Sequence, residues 1–90
     1  MPFPFYESIT VADTAIGFTA SIYQNNYVQS VTCTLETASI RFRLDGTDPT
    51  SAEGHLVPAG QSIKITGASI AKFKAIRTGA VSGVLRCSFE

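Results

Sequence analysis

The side chains able to hold, donate or attack are few and scattered along this chain. The single histidine, His55, follows Glu53 and Gly54. With nearby Asp48 and a serine it would make a Ser-His-Asp set on paper. Hydrolysis needs a nucleophile, a base and a group that orients the base. The chain has no Gly-x-Ser-x-Gly elbow and no oxyanion motif, so His55 reads as a surface or interface residue. Asp45, Asp48 and Glu53 supply three carboxylates within nine positions. The Asp-x-Asp-x-Asp-Gly spacing of a calcium loop is absent, and Asp45 and Asp48 read instead as side chains that accept hydrogen bonds within turns. Cys33 and Cys87 are too few for a zinc site or a disulfide scaffold. They read as two buried thiols packed as small hydrophobes. A Gly-rich phosphate loop, a Cys–His metal cluster and tryptophan are all missing. The expectation is a protein that is not an enzyme, with no catalytic or metal-binding residues and no cofactor.

The elements that carry these residues are set by composition. The chain is 90 residues long, 44% hydrophobic and only 16% charged, against roughly a quarter charged in average proteins. That excludes disorder driven by low hydropathy and high charge, and the length allows one small core without a second lobe. Eight Ile, six Val, six Phe, three Tyr and ten Thr make 33 residues that favour a pleated, half-buried surface, beside only four Leu and one Met. The composition is that of an all-β protein. Seven basic and seven acidic side chains cancel. Zero net charge argues against nucleic-acid binding, whose electrostatic footprint is normally basic, and it weakens the repulsion that keeps copies apart. No apolar run approaches 18 residues, so no membrane span is expected. The start lacks a basic n-region and an apolar h-region, which points to assembly in a reducing cytoplasm and favours free thiols, with a Cys33–Cys87 disulfide between neighbouring strands as the alternative.

Alternation with a period of two places the strands. Tyr6–Ala12 carries Ile9 and Val11 on one face. Ala15–Tyr23 repeats the pattern through Ile16, Phe18, Ala20 and Ile22, and Gln24-Asn25-Asn26 follows as a turn. Val28–Glu36 turns Val31, Cys33 and Leu35 inward. After a tight break at Thr37-Ala38, Ser39–Leu44 alternates Ile40, Phe42 and Leu44 with Arg41 and Arg43. Asp45-Gly46-Thr47-Asp48-Pro49-Thr50 is a loop by every local rule, with Asp45, Gly46, Asp48 and Pro49 as its turn-forming residues. A short extended piece, His55–Val57, ends at Pro58-Ala59-Gly60. Gln61–Thr66 alternates around Ile63 and Ile65, Ile70–Arg77 sets Ala71, Phe73 and Ala75 opposite Lys72 and Lys74, and Ser82–Phe89 directs Leu85, Cys87 and Phe89 inward. The fold class expected is a single small β-sandwich, Ig-like or jelly-roll-like, of seven to eight short antiparallel strands over residues 6–90, with no helical period and with residues 1–5 as an extended N-terminal arm.

Two features point outward. In the arm, Pro2 and Pro4 fix φ and remove amide donors, while Phe3 and Phe5 supply apolar surface that a solvated tail does not need. They dock either on this protein's own sheet or on a neighbouring subunit. By strand parity Arg41, Arg43, Lys64, Lys72 and Lys74 all leave the core. If their strands share a sheet they form a basic face, either a solvated surface or a docking surface for acidic groups.

The stretch Ser39-Ile40-Arg41-Phe42-Arg43-Leu44-Asp45-Gly46-Thr47-Asp48-Pro49-Thr50, then Gly54-His55-Leu56, Pro58-Ala59-Gly60-Gln61-Ser62-Ile63 and Phe73-Lys74-Ala75-Ile76-Arg77, resembles small virion proteins of tailed bacteriophages. The resemblance covers about residues 28–89. It implies a non-enzymatic structural protein of a phage particle, of the capsid decoration (cement) type. Such a protein is made in the host bacterial cytoplasm, is present in many copies or as a homo-oligomer, and contacts the major capsid protein or other virion proteins, with no nucleic acid or membrane as partner. Its partner-binding residues would be Pro2, Phe3, Pro4 and Phe5 of the arm and the five basic residues. A head–tail, tail or fibre-associated component is the alternative within that class. The hairpin, with the later Lys74-Ala75-Ile76-Arg77 strand, also resembles the Asp-Gly-Thr-Asp-Pro-Thr element in the Ig-like C-terminal domain of chitobiases and related glycosidases, which implies a carbohydrate-binding accessory module as a further alternative.

Overall fold

The computed structural model describes residues 5–25 and 28–90. Seven strands form in chain order with two short helices. They are β1 (Phe5–Val11), α1 (Ala20–Asn25), β2 (Ser30–Glu36), β3 (Ile40–Arg43), β4 (His55–Val57), β5 (Ser62–Thr66), α2 (Ser69–Lys72), β6 (Lys74–Arg77) and β7 (Gly83–Phe89). The strands build two antiparallel sheets, a four-stranded one ordered β1-β7-β2-β5 and a three-stranded one ordered β4-β3-β6. The chain is an all-β sandwich, as its composition requires.

Period-two alternation fixes the register, because a slip of one residue would turn every apolar side chain to solvent. Across the four-stranded sheet, Phe5, Phe89, Val31 and Ile65 stand in one row and Ile9, Leu85 and Leu35 in another. The intervening outward row is Tyr6, Ser88, Thr32 and Lys64. From the other sheet Ile40, Val57 and Ala75 join the buried core, together with Phe73, which lies between α2 and β6. An aromatic series crosses it. Phe42 lies 5.6 Å from Phe73, Phe73 stacks on Phe18 at 4.4 Å, and Phe18 meets Phe89 edge-on at 5.6 Å. Between β2 and β3 the chain reverses in a γ-turn, where Thr37 adopts φ +83° and the Ala38 amide donates to the Glu36 carbonyl at 3.0 Å.

Four expectations need correction. Ala15–Tyr23 is not a strand. Only Ile16 pairs there, as an isolated bridge to Ala75, after which Phe18 enters the core and α1 begins. Gln24 and Asn25, expected in a turn, end that helix, and Asn26 lies outside the described residues. Residues 70–72 belong to α2, so Ala71 is exposed and only Phe73 and Ala75 turn inward. Phe5 is not part of an arm. It is the first residue of β1, opposite Phe89 and packed on the core, while residues 1–4 lie outside the described residues.

The two lateral sides of the sandwich differ. On one, the segment after β1 is laced to β6: Ile16 and Ala75 exchange amide–carbonyl bonds of 2.9 and 2.8 Å, and the Arg77 amide donates to the Ala12 carbonyl at 3.0 Å. On the other, β4 and β5 are the edge strands of their sheets. They are joined by the turn at Pro58–Gln61, where the Gly60 amide donates to the Leu35 carbonyl at 2.7 Å. That second side is open.

Candidate functional site

Functional geometry gathers on the open side, around the loop that follows β3. Asp45-Gly46 begins it. Gly46 sits at φ +82°, a left-handed conformation that favours glycine, and Asp45 Oδ1 accepts the Thr47 amide at 3.2 Å. Pro49 is buried, and Thr50 Oγ1 accepts the Ala52 and Glu53 amides at 3.2 and 2.9 Å. Gly54, at φ +136°, brings the chain back against β3 so closely that a Cβ there would lie 3.1 Å from the Phe42 carbonyl oxygen and 3.2 Å from Pro49 Cβ. Gly54 entered the sequence reading as the first residue of the Gly54-His55-Leu56 stretch, without this close approach to β3 being foreseen.

The two arginines of β3 fasten this loop. The Arg41 guanidinium donates to the Ser51 carbonyl at 3.1 Å and to the Gly54 carbonyl at 3.0 Å. Arg43 forms an ion pair with Asp45, its Nε–H donating to Oδ1 at 3.1 Å. That contact holds the Asp45 carboxyl below the usual carboxylate range and keeps the Arg43 guanidinium pKa above its ordinary value. Asp48 is exposed beside Pro49.

The five basic residues do not share one face. Arg41, Arg43 and Lys74 belong to the three-stranded sheet, with Arg43 directly opposite Lys74. Lys64 lies on the outer face of the four-stranded sheet, opposite Thr32, and Lys72 ends α2. Arg41 and Arg43 spend their donors on the loop, Arg41 on its backbone and Arg43 on Asp45 in an exposed pair. Another arginine, Arg86, organises the larger sheet's outer face, donating to Glu36 at 3.2 Å and to Ser8 Oγ at 2.9 Å.

Beside the loop, two adjoining depressions run along the open edge. One, of about 460 Å³, is lined by Arg43, Leu44, Asp45, Glu53, Gly54 and His55. Its neighbour, of about 430 Å³, is mainly apolar and is bounded by Phe42, Leu44, Leu56, Val57, Pro58 and Ile63. His55 lies where they meet, exposed, with its ring 5.2 Å from that of Phe42. Parity assigned Phe42, Leu44 and Ile63 to the core. They are only half-buried, because no strand among the described residues covers the β4–β5 side. The groove was therefore not visible in the alternation, which gives a side chain's face but not its distance from the edge.

The cysteines face each other across β2 and β7 in the fully buried core, with sulfurs 3.5 Å apart and both thiols free. The neighbouring Cys33 sulfur, together with burial, pushes the Cys87 thiol far above its ordinary pKa. A protonated thiol is neither nucleophile nor metal ligand. Among the described residues, no three His, Cys, Asp or Glu side chains converge as a metal site would require. No helix among them is long and apolar enough to cross a membrane. Pro2, Phe3 and Pro4 of the expected arm lie outside the described residues. Compared with protein families, curated proteins and solved structures, the chain matches none.

Proposed function

We propose that this chain is a non-enzymatic structural protein of a phage particle, of the capsid decoration (cement) type, acting through contacts with the major capsid protein or other virion proteins. The observation that supports the reading is the use made of the motif that carries the resemblance. Arg41, Arg43, Thr50 and Gly54 spend their hydrogen bonds and conformational freedom on fixing a loop beside an apolar groove. Such an arrangement presents a rigid shape to a macromolecule, and it sets aside no reactive group. A decoration protein that binds the assembled shell and not the free subunit stabilises the shell by mass action, and many weak contacts add through multivalency.

The test is a copy count by quantitative mass spectrometry on purified particles of the phage that encodes the chain. Copies near one per shell subunit, or a simple fraction of it, are expected. A dozen or fewer would move the protein to the neck, tail or fibres, and absence from particles would overturn the reading.

A further inference from the structure

We propose that the groove between β4 and β5 receives residues Pro2-Phe3-Pro4 of a second copy of this chain, so that copies associate head to tail. The groove is apolar, open and flanked by the edges of both sheets, with Phe42, Leu44, Pro58 and Ile63 offering contact area. Its occupant is argued from where the described chain begins. Phe5 stands on β1, at the opposite edge of the four-stranded sheet from β5. Three strand spacings, about 14 Å, separate those edges. The Cα of Phe3 lies at most about 7 Å from that of Phe5, whatever its conformation. The Cα of a chain's own Phe3 therefore cannot reach β5 across its own sheet, whereas a neighbour's is not so limited.

The chemistry of the segment suits the site. The two prolines restrict the backbone beforehand, so less freedom is lost on docking, and the phenyl ring supplies apolar area. Zero net charge leaves little repulsion between copies. Because Phe5, from which the segment extends, and the groove lie at opposite edges, the contact is heterologous: each copy uses one surface to give and another to receive. The inference stands apart from the particle reading. Its occupant is another copy of this chain, and its failure would leave shell binding untouched.

Sedimentation velocity over a concentration series tests it on four full-length chains: the intact one, Phe3→Ala, Ile63→Lys and Leu56→Lys. The intact chain should associate in a concentration-dependent way, and each variant should associate at least about tenfold more weakly. Leu56 is 53% exposed, so its lysine variant reports on the groove even if Ile63→Lys unfolds. The decisive arm mixes Phe3→Ala, which keeps an intact groove, with Leu56→Lys, which keeps an intact segment. A one-to-one heterodimer that does not grow further is expected. A monomeric intact chain, association unchanged in the variants, or a mixture with no heterodimer would each overturn the proposal.

Discussion

At the scale of single residues, Arg41 and Gly54 do more for the loop than the more conspicuous Asp45–Arg43 pair. Arg41 satisfies two backbone carbonyls that the loop leaves unpaired, at 3.1 and 3.0 Å, from a half-buried position. Hydrogen bonds from a charged donor contribute more than neutral ones, and Arg41→Ala should lower unfolding stability by about 1–3 kcal/mol in urea titrations. Arg41→Lys should not restore it, because a single ammonium cannot reproduce the two-pronged geometry. Arg43→Ala, whose ion pair is exposed, should change little. The two loop glycines should separate in the same way. Gly46 has open space around its missing Cβ, so Gly46→Ala meets only the backbone preference, about 1 kcal/mol. Gly54→Ala adds contacts of 3.1–3.3 Å to Phe42, Pro49 and Arg41 on top of a less accessible φ, and should cost about 2 kcal/mol or more. Equal losses at the two positions would mean that the loop is not packed on β3.

At the scale of elements, alternation was a dependable guide where a strand lies between two others and a poor one at the margins. Val31, Cys33, Leu35, Leu85, Cys87 and Phe89, on the paired strands β2 and β7, are all buried as parity requires. Ile16, Phe18, Ala20 and Ile22 alternate just as well, yet that run ends in a helix. Four positions at i, i+2 spacing cannot distinguish a strand from an extended link followed by a helical turn, since Ile22 and Tyr23 also suit one helix face. What decides is tertiary. Glu7 accepts the Thr19 amide and hydroxyl at 3.0 and 2.7 Å, fixing the chain just before α1, and Phe18 is seated between the sheets. At the candidate site the turn residues Asp45 and Gly46 were legible because their conformational signals are local. The groove was not, because it depends on strand order. If the 12–19 link is a packed part of the sandwich, Phe18→Ala should destabilise by about 3–5 kcal/mol, with loss of the stacking on Phe73 and of the edge contact with Phe89. A loss below about 1 kcal/mol in denaturant unfolding would show that the link merely spans the sheets.

For the whole molecule, the balance of charge and the buried thiols together determine how stability depends on pH. Net charge is zero and the ion pairs described, Arg43–Asp45 and Arg86–Glu36, are exposed, so no large electrostatic term is expected from them near neutrality. The cysteines differ because they lie in the core. Beside Cys33 and out of water, Cys87 keeps its proton in the folded state at pH values where an unfolded thiol, with an ordinary pKa of 9.0, has lost it. The native state then binds more protons than the unfolded one, and stability must fall as pH rises. This contribution is fully present below about pH 9 and declines above it, toward the raised folded-state value, by up to about 1.4 kcal/mol per pH unit. Urea midpoints measured from pH 7 to pH 10.5 should therefore be flat and then bend downward. The comparison that isolates the thiol pair is a chain carrying both Cys33→Ala and Cys87→Ala. It should be less stable at pH 7, having lost packed sulfur atoms from the core, yet show a shallower alkaline decline. An alkaline slope identical to that of the intact chain would mean that the Cys87 thiol loses its proton equally well folded and unfolded, and that the centre of the larger sheet opens to water far more readily than its complete burial implies.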